Sequence, residues 1–415
     1  MALAAALTAL VVLGIVAYSR QFIEGEIVTG MRNVGAMGGA TWGLYVVFVV
    51  YFVGVSFAGI TVAAIIRLFN LEYLKPVARM AEVLTVVALV LGAFSVIADL
   101  GRPLVGIVNL FRYARPQSPF FGTFSLVLSG YLFASLIYLY LDGRADAARL
   151  AKRPGFLQGF HRFWAAGYRD TVEERERHSR TTFWLALSII PLLIAAHSTL
   201  GFVFGLQGGA AGWYSALQAP SFVLLAGVSG IGHLIVMSAI ARYVLNLKAE
   251  LPLRIFSWLG NFLWVLVVAY LYFMVVEMLT ALYGSHHHEA RVTEAILIGH
   301  YAWLFWLSVG FLAVSAVALF IQYVNRSYSI PLIVAAGILV NLAAIGKRYL
   351  IVVPSQTHGR LLPYETGTYA PTWVEYSVVI GLMALGALAV VLFFKVFPIL
   401  HLDQHEEGTQ EVGNA

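Results

Sequence analysis

Ten apolar runs of roughly twenty residues divide this 415-residue chain. As a helix, each is long enough to cross the roughly 30 Å hydrocarbon core of a bilayer. No water is available there to satisfy a backbone, so each run must close its hydrogen bonds internally, as a helix does. The runs span residues 2–18, 41–68, 77–98, 123–141, 182–204, 221–245, 255–282, 302–324, 330–353 and 372–397. The first has no basic segment ahead of its apolar stretch, so it reads as a membrane anchor rather than a cleaved leader. With 60% hydrophobic and only 11% charged residues, a water-soluble fold of this length could not hide its apolar surface. The expected fold is therefore all-α and integral to the membrane. Runs two to five and six to nine form two sets of four, compatible with two four-helix bundles plus flanking N- and C-terminal helices.

This pattern divides the chain into four parts: 1–40, an N-terminal helix and outward loop; 41–204, a first bundle; 220–353, a second bundle; and 354–415, an outward loop, last helix and tail. Ten spans put both termini on one side. The loops and helix ends of that side carry 17 Lys and Arg residues against nine on the other. Positive charge marks the cytoplasm. The expected location is a prokaryotic cytoplasmic membrane with both termini inside. Residues 142–181 supply much of the bias and mix it with Glu173, Glu174 and Glu176, as a solvated amphipathic segment does. The outward loops are longer and rich in Gly, Pro, Tyr and Trp, and loops of that size usually cover a site or a partner. The basic pI accompanies no aromatic-basic platform, so nucleic acid is not an expected partner.

Cysteine is absent. The chain can hold no iron–sulfur cluster through thiolates, attach no c-type haem and form no disulfide. If electrons pass, other subunits carry them.

Ionisable side chains in or beside a span cost several kcal/mol unless paired or hydrated, which makes each a functional candidate. Asp99 ends the third run on the outward side, Arg102 follows one turn later, and Pro103 stops the helix. The pair suits a salt-bridged helix end. It equally suits a carboxylate that exchanges protons with a bound ring while Arg102 tunes and orients it. His197 lies two turns from the outward end of the fifth run, after a kinking Pro191, at a depth where an imidazole can exchange a proton. Glu277 lies near the outward end of the seventh run, at a similar depth. His233 in Gly230-Ile-Gly-His233 suits a polar clamp between close helices or a proton relay. Glu82 and Glu375, near the ends of runs three and ten, could line a proton route. His286-His-His-Glu289 cannot turn three adjacent side chains on one ion from a regular helix. It reads as solvated loop, and no metal site is expected.

Trp42-Gly-Leu-Tyr45 opens one span, Asp99-Leu-Gly-Arg-Pro103 closes the next, and a helix with His197 follows. Together they resemble the NrfD/polysulfide reductase membrane-subunit family. Lys347-Arg-Tyr-Leu-Ile-Val-Val-Pro354, Pro363-Tyr364, Pro371-Thr-Trp-Val-Glu375 and Lys395-Val-Phe-Pro398 are similar to its ten-helix branch, which includes membrane subunits of alternative complex III and of sulfate-reducer redox complexes. The resemblance covers nearly the whole chain. It implies a haem-free subunit of a respiratory oxidoreductase that binds a quinone, menaquinone before ubiquinone, near one membrane face. It also implies an iron–sulfur, ferredoxin-like partner subunit at that face, with molybdopterin or multihaem cytochrome subunits beyond it. Asp99 and Arg102 match the motif, and Trp42 and Tyr45 match the helix opening. Some relatives carry a histidine just ahead of the Trp-Gly. Here Gly38-Gly-Ala40 stands there instead, which shifts weight to His197. Asp99 and His197 are then the expected proton-handling residues, Trp42, Tyr45, Arg102 and Glu277 the expected ring contacts, and Glu82, His233 and Glu375 the expected proton path.

Two other classes compete. A b-type cytochrome subunit would use His197 and His233 as axial ligands. A secondary transporter would show broken helices and paired mid-membrane charges in both halves.

Overall fold

The computed structural model describes residues 2–32, 41–113, 115, 117–118, 123–284, 287–358 and 369–400. Its helices in chain order are α1 (Ala2–Glu24), α2 (Leu44–Val55), α3 (Phe57–Leu68), α4 (Lys75–Asp99), α5 (Pro103–Tyr113), α6 (Ser125–Leu150), α7 (Gln158–Ala165), α8 (Val172–Gly205), α9 (Gln218–Val244), α10 (Leu253–Tyr283), α11 (His287–Leu297), α12 (Ala302–Asn325), α13 (Ile330–Val352), α14 (Pro354–Thr357) and α15 (Trp373–Val396). Ten of the described segments are long and apolar enough to cross a membrane, with α2 and α3 counted as one span. Among the described residues there is no strand. The protein is an all-α multi-pass membrane protein.

α1 and α15 run antiparallel and touch at glycine. A Cβ on Gly14 would lie 2.9 Å from Gly381 Cα, and one on Gly381 would lie 2.8 Å from Gly14 Cα. Only a missing side chain lets two membrane helices approach this closely. α15 packs on α4. α4 also meets α2, α3 and α6, and α8 meets α3, α6 and α9. α9 packs against α10, α13 and α2, while α12 packs against α10 and α13. α2 is buried along nearly its whole length, which explains an apolar run with no polar face.

The second span breaks at Ser56. Ser56 Oγ donates to the Val53 carbonyl at 2.6 Å. The Ser56 carbonyl accepts Thr85 Oγ1 at 2.7 Å and the Tyr131 hydroxyl at 2.9 Å. An interrupted helix survives inside a membrane when neighbouring side chains satisfy the carbonyls it frees.

Three local expectations change. Pro103 does more than stop α4. It opens α5, whose fixed φ suits a first helical position, and Leu104, Val108 and Phe111 of α5 are exposed. Residues 142–181 are largely helix: α6 runs on to Leu150, α7 intervenes, and α8 starts at Val172 under a Thr171 cap that accepts from Glu174 N. The His286–Glu289 stretch is not solvated loop over its described part. α11 begins at His287, and Glu289 is buried, accepting from Gly212 N at 2.5 Å. His286, Gly38-Gly-Ala40 and Pro363-Tyr364 lie outside the described residues.

Candidate functional site at the Asp99 pole

α1 and α4 end, and α2, α9 and α15 begin, at one pole of the bundle; the start of α1 and the end of α15 lie at the other. At the first pole a buried polar cluster forms from segments far apart in the chain. The Tyr45 hydroxyl donates to Gln21 Oε1 at 2.6 Å. Gln21 Nε2 donates to Glu26 Oε1 and to the Ala98 carbonyl, both at 2.9 Å. Asp99 follows Ala98 directly and is half-buried. Glu26, Asp99 and Glu375 all act electrostatically on the buried Tyr45 hydroxyl. A Cβ on Gly101 would come within 3.3 Å of Glu26 Cγ, so the Asp-Leu-Gly-Arg-Pro turn lies against that carboxylate.

Glu375 is completely buried. Its Oε2 accepts Gly30 N at 2.7 Å and Thr372 N at 2.9 Å, and its Oε1 accepts the Tyr369 hydroxyl at 2.5 Å. With Thr372 it forms a reciprocal capping box that starts α15. Tyr369 lies outside the spans. Burial, and then the Glu375 charge beside it, hold its hydroxyl protonated well above the ordinary tyrosine range. That hydroxyl also accepts Leu44 N at 2.6 Å, capping an orphan donor at the start of α2.

Trp42 roofs the same pole. It stacks on Trp213 with centroids 5.5 Å apart and meets Phe204 edge-on at 5.8 Å. Its backbone is pinned from both sides by Gln356, which accepts from Trp42 N at 2.9 Å and donates to Trp42 O at 2.8 Å. Trp213 in turn donates to the Ile351 carbonyl at 2.6 Å.

Of the residues expected from sequence, Asp99, Tyr45 and Glu375 come together here, with Trp42 nearby. Arg102 is exposed on the pole surface. His197 lies deeper. Its Nε2 is 2.8 Å from the Val53 carbonyl and its Nδ1 2.8 Å from the Leu193 carbonyl. Val53 is eight residues past Tyr45, about 12 Å further along the helix axis. A histidine with both nitrogens on backbone carbonyls braces the break at Ser56. His233 is likewise engaged, with Nδ1 2.7 Å from Asn341 Oδ1, which also accepts the Tyr51 hydroxyl at 3.1 Å. Glu277 belongs to a separate cavity and pairs with Lys347 at 3.1 Å. Glu82 is buried near the opposite pole, one turn from Arg79.

Gln21, Glu26 and Tyr369 escaped sequence reasoning. Gln21 follows Ser19 and Arg20 just past an apolar run, and Glu26 and Tyr369 sit in connections whose folding-back no periodicity announces. One signal existed: Gly25 and Gly30 bracket Glu26, and a Cβ on Gly30 would lie 2.0 Å from the Ala370 carbonyl oxygen.

The sequence profile of the polysulphide reductase NrfD family matches residues 33–358 of this chain. A putative dimethyl sulfoxide reductase membrane subunit of Halobacterium salinarum is 28% identical over 418 residues, covering 95% of this chain and 90% of that protein. A selenate reductase subunit of Mesobacillus selenatarsenatis is 24% identical, covering 92% of this chain and 91% of that protein. The Hdr-like menaquinol oxidoreductase integral membrane subunit of Archaeoglobus fulgidus is 25% identical, covering 89% and 88%.

Proposed function

Because this chain belongs to the NrfD polysulphide reductase family, we propose that it is the quinone-reacting membrane subunit of a respiratory oxidoreductase complex, its site the buried cluster around Tyr45. The observation that carries this reading is the buried hydrogen-bonded chain from Tyr45 through Gln21 to Glu26 and to the Ala98 carbonyl, next to Asp99 at the end of α4. An acid at one end of an apolar bundle costs several kcal/mol unless paired or hydrated, which makes Glu26 and Asp99 functional candidates. The donor set suits a quinone: hydroxyl, amide and carboxyl groups for the ring oxygens, and an aromatic wall at Trp42 for the ring face. The name of the Archaeoglobus relative, a menaquinol oxidoreductase subunit, favours menaquinone.

A bound quinone supplies two-electron, two-proton redox chemistry. In this reading Asp99, half-buried at a helix end, exchanges one proton with the ring side and releases it at the pole surface. The Tyr45–Gln21–Glu26 chain fixes the orientation of the tyrosine hydroxyl and offers a second route for a proton. Trp42, held by Gln356, limits where a ring can lie. Arg102, three residues on and exposed at the pole surface, offers a cation at the mouth of the site. His197 enters as the brace of the broken span beneath the site. The Lys/Arg bias supports an outward orientation of this pole. There an iron–sulfur subunit would exchange electrons with the site, since this chain has no cysteine to hold a cluster of its own.

Asp99→Asn in the assembled complex tests the assignment. The expected result is loss of quinol-linked electron transfer while all subunits still co-purify. Turnover at the wild-type rate would make Asp99 structural and overturn it.

A further inference from the structure

A second polar system lies in the other half of the molecule. A cavity of about 60 Å³ is lined by Gln218, Glu277, Glu289 and Lys347, among others. It sits at the Asp99 pole, between the start of α9 and the ends of α10 and α13. It can hold a small number of waters, and its walls offer them partners. Gln218 Nε2 donates to Glu277 Oε1 at 3.1 Å, and Lys347 Nζ donates to Glu277 Oε2 at 3.1 Å. Two carboxylates against one ammonium make the cavity attractive to cations.

Arg348 follows Lys347 and turns inward. It is 2% exposed, and its guanidinium lies 4.4 Å over the Phe222 ring. A Cβ on Gly54 would be 3.5 Å from Arg348 Nη2 and 3.3 Å from Ser229 Oγ, so these two groups flank one point. Gly54 is ten residues into α2, about 15 Å from the pole, near the middle of the bilayer. None of the ion pairs among the described residues includes Arg348. Its Nη1 is buried without a hydrogen-bond acceptor. The titratable groups acting on it or acted on by it are Tyr270 and His197. Beyond it, along α9, come Ser229 and then His233 with Asn341 and Tyr51. Polar groups thus lie on either side of Arg348, with Gln218, Glu277 and Lys347 at the cavity and Ser229, His233, Asn341 and Tyr51 past mid-membrane.

A buried charge without a counter-ion is normally selected against. One situation makes it useful, namely a hydrated polar line that must not carry protons or cations. We propose that Arg348 is an electrostatic barrier that keeps the cavity at the Asp99 pole from leaking protons inward along the α9–α13 seam. Glu277 and Glu289 draw protons into the cavity, and the guanidinium stops them there. This gives the second half of the chain a function of its own, insulation of the membrane across which the redox chemistry is sided. The need for insulation rests on the quinone reading; the barrier itself does not.

The test uses the whole complex in liposomes loaded with a pH-sensitive dye, with no electron donor or quinone present. After an external pH jump, Arg348→Met should collapse the gradient roughly tenfold faster than wild type, since one unit charge a few ångströms away in low dielectric dominates a proton's energy there. Arg348→Lys, which keeps the charge, should stay tight; a merely structural defect would not be rescued this way. If Arg348→Met fails to assemble, Ser229→Asp neutralises the guanidinium in place and should leak likewise. Vesicles as tight as wild type with either neutralising variant would overturn the barrier. Because no turnover is measured, this outcome is separate from that of Asp99→Asn.

Discussion

The Tyr369 hydroxyl and Glu375 Oε1 lie 2.5 Å apart, with the tyrosine donating, and through this pair the start of α15 is tied to the start of α2. Tyr369 accepts Leu44 N, and Glu375 accepts Gly30 N and Thr372 N. One buried carboxylate therefore caps its own helix and collects the loop after α1. Glu375→Ala should lower the thermal unfolding midpoint by the equivalent of about 1–3 kcal/mol, the usual cost of stranding buried donors. Tyr369→Phe should cost less, because it strands Leu44 N and removes one donor from Glu375 Oε1 while Oε2 keeps Gly30 N and Thr372 N. A thermal scan of the two variants showing the reverse order would refute this account.

Tyr45→Phe tests the cluster without removing an acid. The variant keeps the ring and its packing but leaves Gln21 Oε1 without its 2.6 Å donor. Quinol-linked turnover should fall roughly tenfold to a hundredfold, in the range of a lost proton-handling group. The same set of subunits should still co-purify. Unaltered kinetics would remove Tyr45 from the site.

At the opposite pole, Arg79 is buried between Asp142, 3.0 Å away, and Asp146, 2.6 Å away, and donates to the Pro398 carbonyl at 3.0 Å. Arg79→Met leaves two carboxylates facing each other in a dry site and should cost about 3–5 kcal/mol. Adding Asp142→Asn and Asp146→Asn should recover most of that loss in the same melting experiment, because the penalty lies in the stranded charges.

Gly59 tests the seat of the broken span. A Cβ there would be 2.1 Å from Thr85 Oγ1 and 2.3 Å from the Ala81 carbonyl oxygen. The second neighbour is backbone and cannot swing away. Gly59→Ala should therefore destabilise the protein by about 1–3 kcal/mol, although alanine favours helices. A neutral or raised melting point would mean that α3 and α4 pack less tightly than they do here.

His358, beyond the end of α13, has its pKa held below the ordinary histidine value by burial and by His300 nearby. The unfolded chain then binds a proton that the folded one resists. Its stabilising contribution is full above the ordinary histidine value of about 6.5 and is lost as pH falls below it. The melting temperature should drop more steeply between about pH 7 and about pH 5 in wild type than in His358→Gln, with the difference modest because the ring is partly exposed.

Much of the fold was legible because a bilayer leaves so few choices. Apolar length alone located ten spans, and Asp99 falls at a helix end because Leu100 leaves helical geometry and Pro103 opens the next helix. The cluster was only partly legible. Asp99, Tyr45 and Glu375 stood out as costly groups near span ends, but Gln21 and Glu26 join the cluster only through tertiary contacts from the end of α1 to α2 and α4. His197 and Glu277 meet different neighbours: His197 lies against the Val53 and Leu193 carbonyls, and Glu277 pairs with Lys347. Which way a helix faces is set by its neighbours, and a single span seldom reveals it when every face is apolar. Arg348 went unassigned because, in sequence, it sits among ordinary residues at a helix end; its reach to mid-membrane belongs to the folded state.

The glycine contact between α1 and α15 has a consequence for biogenesis. α1 is synthesised long before α15, yet the two are mutual neighbours, and between them they supply Gln21 and Glu375 to the pole where Asp99 waits. Until α15 is made, Gly30 N lacks its Glu375 acceptor and Gly14 lacks its Gly381 neighbour, so the last helix made is the one that fixes the first.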